Sequence, residues 1–200
     1  MSRTESSIFA KRPDWPRFFS KLGLVASSIG VFAFMPNARA SDYSIAIGNG
    51  YQSVSRTPTG TGFGFLLDAT RSGEDAYSIG PGLSFGVRIG AVSLTVAGKA
   101  LHVRSADGRS GLTTPIGVIA GIPAASRLSL VARAFYTPRA VFSAALGAYT
   151  QATAGVRWTY KPINLEAGWR YEALKGRNGT RDTRLTNGPY LAAGFSLVHR

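Results

Sequence analysis

The chain has 200 residues, with 23 Lys plus Arg against 10 Asp plus Glu, 24 Gly, 10 Pro and no Cys, and 44% of it is apolar. That length fits one domain, and with only 16% charged residues the chain is too apolar for a disordered basic tail. Without Cys, a Gly-X-Y period or heptads it is not a disulfide scaffold, a collagen or a coiled coil.

Residues 1–40 read as a secretory signal peptide. Arg3, Lys11, Arg12, Arg17 and Lys21 precede an apolar run from Leu22 to Met35, Pro36 breaks it, and Ala38 and Ala40 bracket a cleavage site. The run is about 14 residues, short of the ~20 a membrane-spanning helix needs. Ordinary Sec export is expected, with the mature chain beginning at Ser41. Residues 41–200 then hold 17 basic and 8 acidic side chains, a net +9. An exported chain does not meet nucleic acid, so the basic balance points to phosphate outside the cytoplasm, lipopolysaccharide above all. A Cys-free chain also crosses an oxidising periplasm without forming wrong bridges.

From residue 42 onward the period is two. Tyr43, Ile45 and Ile47 lead through Asn49-Gly50, a strong hairpin-turn pair, back along Tyr51 to Ser55. Leu83, Phe85, Val87 and Ile89 alternate with Ser84, Gly86 and Arg88, and Val92, Leu94 and Val96 alternate with small residues leading to Lys99. Leu128 to Tyr136, Ala154 to Tyr160 and Ile163 to Tyr171 repeat the pattern, and Leu191, Ala193, Phe195 and Leu197 close the chain. Short turns at Ile89-Gly90, Pro123 to Ser126 and Lys161-Pro162 alternate with longer polar loops at Arg71 to Ala76, Arg104 to Thr113, Pro138 to Tyr149 and Leu174 to Asn187. That alternation, with Tyr136, Trp158, Tyr160, Trp169 and Tyr171 at strand ends on the apolar face, predicts an all-β fold: a transmembrane antiparallel up-and-down β-barrel over residues 41–200 in the outer membrane of a Gram-negative bacterium. Eight strands follow Thr61, and the Asn-Gly hairpin favours ten over eight. A soluble periplasmic β-domain is the alternative that would turn the same apolar faces inward.

The strands place Arg88, Lys99, Arg133, Arg157, Glu166, Arg170 and Glu172 on the face opposite the lipid-facing residues. In a barrel this narrow such side chains form an internal ion-pair network; five cations left against two carboxylates would otherwise make a narrow anion-preferring pore. Lys175, Arg177, Arg181 and Arg184 in the last long loop are candidates for lipopolysaccharide phosphate. Catalysis on lipid A would need a His at the outer rim. His102 lies near Ser105 and Asp107 but alternates onto the lipid side, while His199 lies at the periplasmic end, so no enzyme is expected. Glu74-Asp75 has no companion ligand, so neither metal nor cofactor is expected. The expected partners are outer-membrane lipid and lipopolysaccharide, with the Sec translocon, periplasmic chaperones and barrel-assembly machinery during biogenesis, and the barrel itself is expected to be a monomer.

Ala132 to Pro138, Tyr149 to Tyr160 with Ala154-Gly155-Val156-Arg157-Trp158, Glu166 to Tyr171, and Gly176-Arg177 through Arg181-Asp182 to Asn187-Gly188-Pro189-Tyr190 together resemble the YfaZ family of bacterial outer-membrane proteins, as does Gly98-Lys99-Ala100. The resemblance covers most of residues 42–198 and implies a small outer-membrane barrel, in a family without an established molecular function. The basic, non-aromatic His199-Arg200 ending departs from the usual aromatic terminus of the last strand of such barrels.

Overall fold

The computed structural model describes residues 41–73, 75–137, 146–177 and 181–197. The expected signal peptide and the terminal His199-Arg200 lie outside these residues. The described chain is strand throughout: β1 Ser41–Gly48, β2 Tyr51–Pro58, β3 Gly62–Ser72, β4 Ala76–Ile89, β5 Val92–Lys99, β6 Leu101–Arg104, β7 Ser110–Thr113, β8 Ile116–Pro123, β9 Leu128–Thr137, β10 Leu146–Tyr160, β11 Ile163–Gly176 and β12 Thr183–Leu197.

Every pairing is antiparallel, and β1, β2, β3, β4, β5, β8, β9, β10, β11 and β12 form a closed ring in which β12 returns to β1. The ring has ten strands, as Asn49-Gly50 foretold. Closure leaves no exposed sheet edge, so each backbone N–H and C=O in the ring can find its partner without water, which hydrocarbon requires. Strands β6 and β7 prolong β5 and β8 at the loop end. Strand β4 pairs with β5 and then, past Ala100, with β6 through Tyr77↔Arg104. The strand is interrupted between β7 and β8 at Pro115, which has no N–H to donate but accepts from Lys99 N at 2.9 Å.

Alternation then sorts the two faces. Leu83, Phe85, Val96, Ile116, Leu130, Val156, Leu165 and Leu191 point outward and are exposed. In water this apolar belt would be strongly unfavourable; against acyl chains it costs nothing. The soluble β-domain, which needs these residues as a core, therefore does not hold. Aromatic side chains gather at two levels of the outer face. Near the short turns, Tyr43 stacks on Phe195, Phe63 meets Phe85 edge-on, and Trp158 stacks on Tyr160. Towards the loop end, Tyr136 and Trp169 are exposed and Tyr77 lies against His102.

The loops differ from expectation. Strands β3 and β4 run on to leave only residues 73–75 between them, β6 and β7 shorten the connection between Arg104 and Ser110, and β11 and β12 take up most of the segment from Leu174 to Asn187. Ladder hydrogen bonding continues there although the outward face has become polar, so the hydrophobic alternation stops before the strands do.

Candidate functional site: a layered lumen and a cationic rim

The inward side chains stack in three layers from the short-turn end to the loop end. The first is a vestibule of about 270 Å³ lined by Arg88, Arg133, Arg157, Asp42 and the hydroxyls of Thr57, Thr59, Ser93, Thr95 and Ser129. Arg88 is exposed at this mouth. It makes no ion pair among the described residues, so the structure does not bring it into the network that its alternation predicts.

The second layer is the ion-pair network, in two lobes. In the lower lobe Arg133 donates from both terminal nitrogens to Glu166, at 2.8 and 3.1 Å. Arg157 bridges Glu166 at 2.7 Å and Asp42 at 2.6 Å. The Tyr190 hydroxyl also donates to Glu166, and Ser196 and Asn164 donate to Asp42. In the upper lobe Lys99 donates to Asp68 at 2.6 Å and to Gln151 at 2.8 Å, with its ammonium 3.7 Å from the centre of the Phe135 ring. Arg170 lies 2.7 Å from Glu172 and 3.6 Å from Asp68, and donates to Thr70 and Ser53. Glu172, fully buried, also accepts from Ser78 at 2.6 Å and Tyr149 at 2.8 Å.

Lys99, Arg133, Arg157, Glu166, Arg170 and Glu172 are thus brought together, and the carboxylate count rises from two to four. Asp42 and Asp68 complete the network. Asp68 follows the run Phe63 to Leu67, whose apolar residues occupy both faces and hide its inward register. Fully desolvated charges are tolerable only when paired and hydrogen-bonded, and each carboxylate here has at least two donors.

The third layer is apolar. Ala76, Leu101, Val103, Tyr149, Leu174 and Leu185 pack into one buried cluster above Glu172, none more than 5% exposed. A bulge between Glu172 and Ala173 puts both Leu185 and Thr186 inside. Beside the cluster, the Thr113 hydroxyl donates to that of Thr137 at 3.0 Å.

Outside, the loop end is cationic. Arg71, Tyr77 and Arg104 are cross-strand partners in one row of the outer face. Lys175, Arg177, Arg181 and Arg184 are exposed at the same end, on and between β11 and β12. Asp182, the carboxylate within that group, accepts from Gly176 N at 2.9 Å. His102 faces outward with its ring 5.6 Å from that of Tyr77. The Ser105 hydroxyl bonds instead to the Asp107 carboxylate and to the Arg109 carbonyl, the latter at 3.0 Å. The hydrogen bond that Ser105 donates to the Asp107 carboxylate, ahead of the other influences on it, holds this exposed carboxyl below its ordinary pKa. Among the described residues no group of His or carboxylates has metal-ligand geometry.

A closed antiparallel ring with an aromatic-banded apolar exterior and a charged, packed interior defines a small outer-membrane β-barrel. Residues 19–197 match the family model described as YfaZ precursor, and the chain belongs to the YfaZ family. It is 27% identical over 175 residues to "Outer membrane protein YfaZ" of Escherichia coli (strain K12), covering 87% of this chain and 93% of that protein. Its place is the outer membrane. Among solved structures it is similar to the outer membrane channel DcaP of Acinetobacter baumannii, at 13% identity and a TM-score of 0.42 over 82% of this chain and 55% of that one. The chain therefore spans little more than half of that channel's length.

Proposed function

We propose that the protein is a monomeric, non-conducting and non-catalytic barrel that binds lipopolysaccharide phosphates through its outer rim. The observation that carries this reading is the filled lumen. A solute entering the vestibule meets the paired charges of the second layer and then the apolar cluster above Glu172. Moving an ion through that cluster would strip its water without offering a ligand in return, a barrier of many kcal/mol. The anion pore is thereby disfavoured: four of the five cations that would select the ion, Lys99, Arg133, Arg157 and Arg170, are already neutralised by Asp42, Asp68, Glu166 and Glu172, and only Arg88 at the exposed mouth is left.

The rim has the chemistry for phosphate. Arg71, Arg104, Lys175 and Arg184 are exposed at or beyond the level of the upper aromatic side chains, where the phosphates of lipopolysaccharide lie in the outer leaflet. Catalysis through His102 finds no support, since its ring packs beside Tyr77 and the Ser105 hydroxyl is engaged elsewhere.

Two measurements test the reading. Protein extracted from outer membranes and inserted into a planar bilayer is expected to give no stable conductance steps; reproducible anion-selective steps would overturn the non-conducting assignment. Binding to lipopolysaccharide is expected to fall about tenfold when Lys175, Arg177, Arg181 and Arg184 are together replaced by Gln, and by a similar factor when the lipopolysaccharide is dephosphorylated. Unchanged binding in both arms would remove the rim from the proposal.

A further inference from the structure

The vestibule at the short-turn end holds one cation more than its carboxylates balance. Arg133 and Arg157 are paired with Glu166 and Asp42, whereas Arg88, which lines the same cavity, has no carboxylate partner among the described residues. Arg88 stands directly across the ladder from Ser93, another lining residue, and shares its inward face. The cavity is open to the medium. Thr59, Gly60 and Ala91, which lie in the turns, and Pro58 and Pro123 at strand ends form its lip, and Arg88 is exposed there. The Arg133 and Arg157 side chains keep 19% and 16% of their surface exposed, against 4% for Lys99 and 10% for Arg170 deeper in the lumen.

Donors and acceptors are left over on this wall. Glu166 takes two of the five N–H groups of Arg133, and Glu166 with Asp42 takes three of the five of Arg157. The hydroxyls of Thr57, Thr59, Thr95 and Ser129 make no hydrogen bond among the described residues, and that of Ser93 donates to the Gly121 carbonyl at 3.2 Å while its lone pairs stay free. A surplus positive charge in a concave mouth draws an anion, and Asp42 in the wall repels the second charge of a dianion. About 270 Å³ lies near the lower end of the range for ligand clefts and suits one sugar-sized molecule.

We propose that the vestibule is a binding site, open to the periplasm, for a hydroxylated monocarboxylate the size of a single sugar acid. Arg88 holds the carboxylate with its planar fork, and the hydroxyls of Ser93, Thr95 and Ser129 pair with those of the ligand. The site needs only the mouth of the barrel, so it depends neither on the role of the cationic rim nor on whether the lumen conducts.

The test is calorimetric titration of the detergent-extracted protein with gluconate, glucose, acetate and glucose 6-phosphate. Gluconate is expected to bind with one molecule per barrel, and glucose and acetate, which lack the charge or the hydroxyls, about tenfold more weakly. Arg88→Gln is expected to weaken gluconate about tenfold, and Thr95→Val to weaken gluconate about threefold while leaving acetate unchanged. A difference in gel mobility between unboiled and boiled samples reports that each variant is folded. If neither variant folds, the wild-type comparison decides, and glucose bound as tightly as gluconate overturns the proposal. Wild-type affinity for gluconate in Arg88→Gln, or no saturable binding of gluconate to wild type, also overturns it. Acetate bound as tightly as gluconate would make the site one for any small anion, and tighter binding of glucose 6-phosphate would make it one for dianions; either result overturns the sugar-acid assignment.

Discussion

Glu172 shows what the lumen asks of a single side chain. Its carboxylate is fully buried and receives Arg170, Ser78 and Tyr149 at once. Glu172→Leu would leave the Arg170 guanidinium with its hydroxyl acceptors Thr70 and Ser53 but with no carboxylate nearer than Asp68 at 3.6 Å. Urea unfolding in detergent, followed by tryptophan fluorescence, is expected to show a loss of about 3–5 kcal/mol. The double variant Arg170→Leu/Glu172→Leu is expected to recover most of that, because removing both partners of a buried pair leaves no orphaned charge. A double variant as unstable as the single one would show that the two charges act separately. His102 is the contrasting case. It stands outside beside Tyr77, so His102→Ala is expected to shift the same midpoint by less than about 0.5 kcal/mol and to leave lipopolysaccharide binding unchanged.

Among the elements, strands β8 and β9 show where packing rather than charge sets the limit. Gly117 faces Phe135 across the ladder, and a Cβ placed on it would stand 2.0 Å from the Ala134 carbonyl oxygen and 2.6 Å from the Phe135 ring. That ring is the one on which the Lys99 ammonium rests. Gly117→Val is therefore expected to cost about 1–3 kcal/mol and to lower the yield of the unboiled, fast-migrating form on gels. Nothing in the sequence around Ile116 and Val118 marks this glycine apart from others that only ease curvature. What was legible lay where one face was wholly apolar. Lys99, Arg133, Arg157, Glu166, Arg170 and Glu172 alternate with residues such as Leu165 and Trp169, and so their side of the wall could be assigned without coordinates. Asp42 stands at the start of β1 with too little pattern before it, and Asp68 is masked by Leu66 and Leu67.

At the scale of the whole molecule, a closed ring of antiparallel ladders unfolds only if many hydrogen bonds break together, and in detergent none of its edges is open to begin the process. Protein from outer membranes is therefore expected to migrate differently in cold SDS before and after boiling, and identical mobility would contradict closure. The seam of the ring is β1 against β12, where Ser41 faces Leu197 and Gly48 faces Tyr190. These ladders lie as close as any other neighbouring pair, so the barrel is topologically five hairpins in a circle with one short turn left out. Joining Leu197 to Ser41 by a few residues and reopening the chain between Thr137 and Leu146 would yield a circular permutant with the same wall. Both of its ends would emerge on the cell surface instead of the periplasmic side, turning a barrel whose termini are hidden inside the envelope into a scaffold for display.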